Sequence, residues 1–427
     1  MSVRVDRAST EVVEPLRILW LKTELLHPVD RGGRIRTYQM LRQLRRTHHV
    51  TYVALDDGTS TPEAVEQASE YCQELVRIPH RVPVRGSAAF NIGALANLAS
   101  SLPYTVTRFR SPEMTRRIRE LTRGGQFDVV VCDFLFPSIN VPRDIDCPLV
   151  LFQHNVEEQI WRRHAEAASN PLTRMYFRTQ WRRVRAFEQA ECARYDHIVA
   201  VSEADRDLMR AQYGIEAVSA IPTGVDVQYF QRDGARSREP ANLVFTGAMD
   251  WMPNEDAMVR FVTDILPRIR ADRSDVTLTI VGRNPSARLR AMAEATPGVT
   301  VTGGVPDVRP YLERASVFVV PIRIGGGTRL KIFEAMAMEM PVVSTTIGAE
   351  GLPVRHGVDA LLADDPKSFA TAVLDLLNDP ARATRMGKAA AQRVRAEFGW
   401  DKVAEQFSDI CARAARARRF SNEMEPA

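Results

Sequence analysis

Lysine and cysteine are scarce in this sequence. Only five of its 57 basic residues are lysines, and none lies between Lys22 and Lys331. The net charge of +4 is too small over 427 residues to indicate nucleic acid as the main partner. The five cysteines are odd in number and contain no C-x-x-C pair, which argues against a disulfide framework and against a zinc site. We therefore expect five reduced, mostly buried thiols.

Long apolar runs are also missing. The longest, such as Val317 to Ile322, are far shorter than the roughly 20 residues that span a bilayer. The N-terminal segment carries charge but lacks the apolar core and the small-residue cleavage site of a secretory signal. These features predict a cytoplasmic protein that no segment anchors across a membrane.

What the sequence does contain is an alternation of short Val- and Ile-rich runs with longer amphipathic segments, which predicts an α/β fold with parallel sheets. In the first half, the predicted strands are Leu16 to Lys22, Val50 to Leu55, Leu75 to Pro79, Val129 to Asp133, Leu149 to Gln153 and Ile198 to Ser202. In the second half, they are Leu243 to Gly247, Thr277 to Gly282, Val299 to Thr302, Val317 to Pro321 and Val342 to Thr345. Two doubly wound sheets accommodate eleven strands better than one sheet does.

A polar segment broken by Gly and Pro, Thr223 to Leu243, is typical of an interdomain linker. It places the domain boundary near residue 235 and predicts an N-terminal domain of residues 1–235 and a C-terminal domain of residues 236–399. The last helix, Trp400 to Arg419, has one apolar face and is able to complete either domain.

The most informative segment joins a predicted strand to a predicted helix. The strand Val317 to Pro321 runs into three glycines, Gly325 to Gly327, and then into the strong helix formers of Arg329 to Met338. Glycines let a backbone approach a ligand, Thr328 is a capping residue, and the first N–H groups of a helix favour an anion. The pattern predicts a phosphate cradle at Gly326, Gly327, Thr328 and Leu330; the alternative is a merely flexible turn.

Charged residues adjoin this predicted cradle. Arg329 and Lys331 are placed to contact a diphosphate, and Glu334 lies one turn along the helix, where a carboxylate accepts hydrogen bonds from ribose hydroxyls. Neither a P-loop nor a G-x-G-x-x-G turn is present, so the kinase-like and dehydrogenase interpretations lose support. The D-x-D triplets at Asp144 to Asp146 and Asp205 to Asp207 do not follow strands, and we interpret them as surface carboxylates, with no metal site and no cofactor predicted.

Four segments in order resemble one known family, the retaining, nucleotide-sugar-dependent glycosyltransferases of family four. They are GGRIRTYQMLRQL (Gly32 to Leu44), IPTGVD (Ile221 to Asp226), FTGAMDWMPNEDAM (Phe245 to Met258) and PIRIGGGTRLKIFEAMAMEMPVVST (Pro321 to Thr345). The resemblance covers most of the chain. It implies the GT-B fold, in which two Rossmann-like domains face each other across a cleft, the first on the acceptor side and the second binding the donor.

The resemblance also implies roles for individual residues. Gly32 and Gly33 correspond to the glycine loop beside the donor phosphates, and His154 in LFQHN corresponds to a histidine near the transferred sugar. Gly247 and Asn254 fall in the segment that lines the donor pocket. Glu334 corresponds to the second acid of the family's E-x7-E pair, which binds the donor ribose. The first acid of that pair is replaced by Gly326, so this chain departs from the family pattern there.

The resemblance predicts a transferase that moves a sugar from a nucleoside diphosphate to a glycan or lipid-linked acceptor, as in bacterial cell-surface polysaccharide synthesis. His154, Arg329 and Lys331 are the predicted catalytic residues. Two alternatives remain: a nucleotide-sugar epimerase, and a catalytically idle binding subunit, which the glycine at position 326 favours.

A basic helix suggests a second partner. On the predicted helix Thr173 to Phe187, one face carries only arginines, and another carries Phe177, Trp181 and Val184. The residues proposed to contact anionic lipid headgroups at the cytoplasmic face of a membrane are Arg174, Arg178, Trp181, Arg182 and Arg185. The alternative is an ordinary amphipathic helix with a solvated basic side.

Overall fold

The structure, a computed structural model, describes residues 14–30, 32–84, 86–168, 170–234, 237–324 and 329–424. The chain divides into two compact units. The first consists of the residues up to Ile221 together with those from Ala404 onward, and the second is Pro222–Val403.

The first unit contains a seven-stranded parallel sheet with the strand order β3-β2-β1-β4-β5-β6-β7. Its strands are β1 (Arg17–Lys22), β2 (His49–Asp56), β3 (Glu74–Pro79), β4 (Val129–Asp133), β5 (Leu149–Gln153), β6 (His197–Ala200) and β7 (Val218–Ala220). Its helices are α1 (Gly32–Leu44), α2 (Pro62–Glu66), α3 (Ala88–Ala96), α4 (Tyr104–Thr107), α5 (Pro112–Thr122), α6 (Glu157–Ala167), α7 (Pro171–Cys192) and α8 (Glu203–Tyr213).

The second unit contains a six-stranded parallel sheet with the order β10-β9-β8-β11-β12-β13. Its strands are β8 (Asn242–Thr246), β9 (Thr277–Val281), β10 (Val299–Val301), β11 (Val317–Val320), β12 (Val342–Ser344) and β13 (Leu361–Leu362). Its helices are α9 (Met252–Arg260), α10 (Leu266–Asp272), α11 (Ala287–Glu294), α12 (Arg309–Arg314), α13 (Leu330–Ala337), α14 (Pro366–Asn378) and α15 (Pro380–Glu397), and α16 (Trp400–Met424) follows.

Burial explains why these runs become strands. Every residue of β4, β5, β8 and β11 is buried, as expected for parallel strands that are covered by helices on both faces. Local signals set the helix ends. At α8, for example, the Ser202 side chain accepts a hydrogen bond from the backbone N–H of Asp205, and Gly214 ends the helix with a φ of 67°.

All eleven predicted strands are present, most of them within one residue of their predicted ends. The two strands that the sequence did not predict, β7 and β13, are short strands of three and two residues at the sheet edges. Strand β7 (Val218–Ala220) has only one large apolar side chain and β13 has only two residues, so neither forms an apolar run of its own.

The boundary between the units differs from the predicted domain boundary. It follows Ile221 and not residue 235. The segment after Ile221 packs on the second unit, because Val225 is buried in that core and Val227 and Phe230 pack against it. The Gly224 backbone also lies so close to Trp400 that a Cβ there would come within 2.7 Å of the indole.

The C-terminal helix α16 joins the first unit from Ala404 onward. Its apolar face is buried, and the Phe407 ring lies 5.5 Å from Trp20 and 5.1 Å from Phe152. All five cysteines are buried and none is in a disulfide. No helix in the described ranges combines the length and the apolar character needed to cross a membrane.

Candidate functional site

In each sheet the strand order reverses at one point, and the predicted site residues lie at these two points. The reversal falls between β1 and β4 in the first unit and between β8 and β11 in the second. In open α/β sheets, a crevice forms at the carboxyl ends of the strands flanking such a point, and ligands bind in it. Each unit therefore has one candidate half-site, described separately below.

In the second unit, the Lys331 amine is the centre of the half-site. Lys331 stands in the first turn of α13, and its Nζ donates a hydrogen bond of 3.0 Å to Oδ1 of Asn254. The same Nζ lies 4.1 Å from the centroid of the Phe245 ring. Asn254 is itself buried and fixed, because its Nδ2 donates to the backbone carbonyl of Ala248 at 2.8 Å. A partly buried amine is thus held at the end of β8.

Gly247 makes this arrangement possible. A Cβ at Gly247 would lie 2.5 Å from Nζ of Lys331 and 2.8 Å from Nδ2 of Asn254, so a side chain there would displace both groups. The backbone of Gly247 is also tightly packed: a Cβ at Gly282 would lie 1.7 Å from its carbonyl oxygen. The sequence predicted Gly247 but gave no signal for Gly282, whose requirement arises from a contact between neighbouring strands.

Burial shifts the ionisation of the charged groups in this half-site. Burial and, to a smaller extent, the Arg329 charge lower the pKa of Lys331 to about 7, whereas Glu334 opposes the shift. Burial raises the pKa of Glu334 to about 7 against the opposing effect of Lys331. Burial also lowers the pKa of the buried Arg329 guanidinium, opposed by Glu350. Burial thus disfavours the charged form of all three groups, and neighbouring opposite charges offset part of this effect.

The predicted phosphate cradle is only partly described. Gly326, Gly327 and Thr328 lie outside the described residues, so their predicted roles remain predictions. Leu330 begins α13, which ends at Ala337, one residue short of the predicted helix. The structure therefore brings together Gly247, Asn254 and Lys331, with Arg329 and Glu334 close enough to influence the lysine.

In the first unit, the Asp133 carboxylate is the centre of the half-site. It is fully buried at the end of β4, and its Oδ2 accepts hydrogen bonds from three side chains. The donors are Nζ of Lys22 at 2.8 Å, Oγ1 of Thr37 at 2.6 Å and Nε1 of Trp20 at 2.9 Å. Burial alone would raise the pKa of Asp133, but Lys22 and His154 hold it below the ordinary value. The carboxylate is ionised.

His154 follows β5 and is paired with Asp133. Its Nε2 lies 2.7 Å from Oδ1 of Asp133, and the imidazole is buried. Burial lowers the pKa of His154 to about 3, although Asp133 acts in the opposite direction. The ring is therefore neutral at pH 7. Because an ionised carboxylate only accepts hydrogen bonds, the proton belongs on Nε2, which leaves the buried Nδ1 as an acceptor without a partner in the described chain.

The predicted glycine loop adjoins this network. Gly32 and Gly33 are the first residues of α1, and a Cβ at Gly33 would lie 3.1 Å from the Phe134 ring. Phe134 has a φ of 76°, which is unusual for a residue other than glycine. Its ring stacks on His154 with centroids 3.8 Å apart and lies 4.5 Å from Nζ of Lys22. The first half-site thus joins Gly33, Lys22, Asp133 and His154.

The sequence did not predict four members of this network, namely Trp20, Lys22, Thr37 and Asp133. Two of them carried a usable signal, because Lys22 and Asp133 are the last residues of predicted strands, where ligand-binding side chains concentrate in open sheets. Thr37 carried none, since a threonine inside a helix is indistinguishable from any other helical residue until the neighbouring strands are placed.

The basic helix is present as α7, but the prediction that Trp181 contacts a membrane is not supported by its surroundings. Trp181 is partly buried, and its Nε1 donates a hydrogen bond of 2.6 Å to Oε2 of the buried Glu158 of α6. The reason is that α6 and α7 pack against each other, which occupies this face. The exposed apolar residues of α7 are instead Leu172 and Met175, at 73% and 64% exposure.

Lowering the pH from 6 to 5 should destabilise the wild type more than a His154→Asn variant, by about 1.4 kcal/mol. The unfolded imidazole takes up a proton near its ordinary pKa of 6.5, whereas the folded one does so only near 3. Protonation therefore favours the unfolded state between these values. Urea unfolding at the two pH values measures the difference, with His49→Asn as the control at an exposed histidine. Equal pH dependence in the wild type and His154→Asn would contradict the assignment.

Family models match both units. A model described as "Glycosyltransferase Family 4" matches residues 31–229, and a model described as "Glycosyl transferases group 1" matches residues 240–379. A relative named "Uncharacterized 44.6 kDa protein in cps region" from Klebsiella pneumoniae is 23% identical over 369 residues, which is 84% of this chain and 90% of the relative. A D-inositol 3-phosphate glycosyltransferase from Streptomyces avermitilis is 27% identical, and the match spans 52% of this chain and about half (53%) of that relative.

Solved structures share the fold. Sucrose-phosphate synthase of Thermosynechococcus elongatus superposes with a TM-score of 0.69 at 18% identity, covering 94% of this chain and 100% of that one. Anabaena HepE in complex with UDP gives a TM-score of 0.64 at 14% identity, with coverages of 92% and 99%. WaaG, "a glycosyltransferase involved in lipopolysaccharide biosynthesis", gives 0.62 at 15% identity, with coverages of 92% and 99%. The predicted GT-B fold class is thereby confirmed.

Proposed function

Because the chain belongs to the glycosyltransferases of the group 1 and family 4 type, we propose that it transfers a sugar from a nucleoside diphosphate to a glycan or lipid-linked acceptor, with retention of anomeric configuration. The main observation behind the proposal is that the Lys331 amine lies between Asn254 and Phe245, at the point where the strand order of the second sheet reverses. A partly buried amine at that place, which becomes fully charged when an anion binds beside it, is suited to a diphosphate.

Transfer of a sugar from a nucleoside diphosphate requires positive charge beside the leaving phosphate. When the bond from the sugar to the diphosphate breaks, negative charge grows on the leaving phosphate, and fixed cations that meet it lower the barrier. Lys331 and Arg329 supply this charge in the proposal, and no divalent metal is required. Glu334 accepts hydrogen bonds from the donor ribose, and Nδ1 of His154 accepts one from a hydroxyl of the substrate.

The comparisons favour a role in bacterial cell-surface polysaccharide synthesis. The Klebsiella pneumoniae relative is described by its place in a cps region, and WaaG by its part in lipopolysaccharide biosynthesis. The donor class is supported by the Anabaena HepE structures, which hold UDP or UDP-glucose. A nucleoside diphosphate sugar is therefore the donor class to test.

Donor binding is the first experiment. A panel of nucleoside diphosphate sugars should contain at least one that raises the melting temperature of the chain, because a ligand that binds only the folded state stabilises it. Release of the nucleoside diphosphate is then measured with and without saccharide or lipid-linked acceptors, in the presence of EDTA. Release that requires an acceptor supports the proposal. Interconversion of sugars without release indicates an epimerase, and binding without either reaction indicates an idle binding subunit; both contradict it.

We also propose that the first unit rests on an anionic membrane surface through α7 and the neighbouring α3. The arginines of α7 at positions 174, 178, 182 and 185 are exposed. Next to them, Ile92 and Leu95 of α3 are 66% and 67% exposed, although side chains of this size usually seek burial. The two segments adjoin, because Arg183 of α7 donates hydrogen bonds of 2.9 Å to the backbone carbonyls of Asn97 and Leu98. Basic and apolar groups side by side match lipid headgroups and the acyl boundary beneath them.

Reversing two charges on α7, in an Arg178→Glu/Arg182→Glu variant, should weaken binding to vesicles containing phosphatidylglycerol at least tenfold. Each basic residue near an anionic surface contributes about 1 kcal/mol. Vesicle co-sedimentation at 0.1 M and 0.5 M salt measures this. The matched control is Arg46→Glu/Arg123→Glu, which changes the same charge at exposed positions outside α7. If the wild type does not bind anionic vesicles at either salt concentration, α7 is an ordinary solvated helix.

A further inference from the structure

A cavity of about 190 Å³ lies within the first unit, beside the half-site but separate from the Asp133 network. It is formed by residues that follow the carboxyl ends of three adjacent strands: Thr23 and Glu24 after β1, Asp57 at the end of β2, and His80 after β3. Arg34 of α1 closes one side. The cavity therefore opens at the ligand-binding edge of the sheet.

The charges that line this cavity disfavour an anion. Glu24, Asp56 and Asp57 carry negative charge, and Arg34 is the basic residue among those that line it. The Arg34 guanidinium is already engaged, since its Nε donates to Oε2 of Glu24 at 2.9 Å and its Nη1 donates to the backbone carbonyl of Pro28 at 3.1 Å. A phosphate entering the cavity would meet the Asp57 carboxylate, the ion pairs Glu24–Arg34 and Asp56–Arg77, and no uncommitted cation among the lining residues.

The cavity instead offers hydrogen-bonding groups that a neutral, hydroxyl-rich molecule can use. Within the described ranges, Oε1 of Glu24, Oδ2 of Asp57 and the Thr23 hydroxyl make no hydrogen bond. His27 also lines the cavity, but its Nε2 lies 3.7 Å from Oε2 of Glu70, outside the cavity. Carboxylate oxygens that lack partners are strong acceptors for O–H groups.

The volume of the cavity and its apolar walls also fit a sugar ring. A water needs roughly 10–15 Å³ of such space, so a cavity of 190 Å³ has room for roughly 13 to 19 waters, and a hexose, with twelve non-hydrogen atoms, is not too large for it. Leu25, Leu55 and Val82 contribute apolar walls, which suit the C–H face of a sugar ring. A monosaccharide ring therefore fits in volume, in polarity and in charge.

We propose that this cavity is a subsite for an uncharged sugar ring of the acceptor, bound through its hydroxyl groups by Thr23, Glu24 and Asp57. The proposal rests on the proposed transferase function and deepens it, because it makes the acceptor terminus a neutral saccharide and excludes a phosphorylated ring at this position. Only binding is assigned to these residues, and no bond-forming step.

The probes are methyl α-D-glucopyranoside, methyl α-D-mannopyranoside and methyl β-D-galactopyranoside, with glucose 6-phosphate and inorganic phosphate as anionic comparisons. Saturation-transfer difference NMR on the full chain measures binding. We expect at least one methyl glycoside to give a signal that falls at least fivefold in Thr59→Trp, which places an indole in the cavity from an exposed position. Thr371→Trp, at an exposed threonine of the second unit, is the matched control and should keep the wild-type signal.

A second variant keeps the proposal testable if Thr59→Trp does not fold. Asp57→Asn keeps the shape and the acceptor of the Thr59 N–H but removes the charge, and it should weaken glycoside binding about threefold or more. Absence of any Thr59-sensitive glycoside signal overturns the proposal, as does binding of glucose 6-phosphate or inorganic phosphate at least as tight as that of the glycosides. Donor binding by thermal shift should be unchanged in both variants. If no nucleoside diphosphate sugar binds even the wild type, the proposed function fails, whatever the cavity binds.

Discussion

Replacing Lys22 with methionine should lower the free energy of unfolding of the first unit by about 3–5 kcal/mol, the usual cost of removing one partner from a buried ion pair. Nζ of Lys22 lies 2.8 Å from Oδ2 of Asp133, and both side chains are almost completely buried. Methionine keeps the length and the apolar stem of lysine, so the loss comes from a carboxylate left in the core without its cation. Urea unfolding at pH 7.5 measures the effect.

A double variant separates charge from packing. Asp133→Asn keeps an oxygen that accepts the hydrogen bonds of Trp20 and Thr37, so Lys22→Met/Asp133→Asn leaves neither charge unpaired. Its cost should be smaller than the sum of the two single variants by at least about 2 kcal/mol. Lys388→Met, at an exposed lysine of the second unit, should be neutral. Additive single costs, or a cost below about 1 kcal/mol for Lys22→Met, would show that the pair contributes little.

Replacing Lys331 with methionine should lower kcat/KM for the donor ten- to a hundredfold, about 1.4–2.7 kcal/mol of transition-state stabilisation. The physical reason is the loss of the cation that meets the leaving diphosphate. The matched control is again Lys388→Met, which removes an exposed lysine from the same unit and should leave the kinetics unchanged. Wild-type donor kinetics in Lys331→Met would remove this lysine from the site.

Proton uptake gives a second measure of the same group. With a pKa of about 7, Lys331 is mostly neutral at pH 8 in the free chain, and a nearby diphosphate raises the pKa and draws a proton from solution. Glu334, with a pKa of about 7, is already mostly ionised at pH 8. Calorimetric titration of the donor in two buffers that differ in ionisation enthalpy should therefore show clearly more proton uptake at pH 8 in the wild type than in Lys331→Met.

Much of the fold could be predicted because a parallel sheet has a strong local signal. A strand covered on both faces must be apolar along its whole length, as β4 and β5 are, and such runs stand out between charged helices. The edge strands β7 and β13 lacked that signal. The boundary predicted near residue 235 differs from the division after Ile221, because polar residues, Gly and Pro suggested a linker, whereas Val225 and Phe230 of that segment pack on the second unit.

The candidate site was predictable where a motif is contiguous and not where the site is assembled from distant segments. Lys331 and Glu334 lie in one short helix and were predicted together, and Asn254 and Gly247 came from a second recognisable segment. The Asp133 network joins residues separated by up to 113 positions in the chain, so no local pattern links Trp20 to Asp133. Likewise, nothing in the sequence indicated that Trp181 would be held by Glu158.

By itself, the amino-acid sequence determined the α/β class, the positions of eleven of the thirteen described strands and the family, because each depends on neighbouring residues and on their order. Only the tertiary structure decided which side chains share a site. Asp133 binds Lys22, and Lys331 lies beside Asn254, because parallel strands bring their carboxyl ends to one edge whatever their separation along the chain. The partial burial that lowers the pKa of Lys331 likewise comes from atoms supplied by several segments and exists only once they are packed.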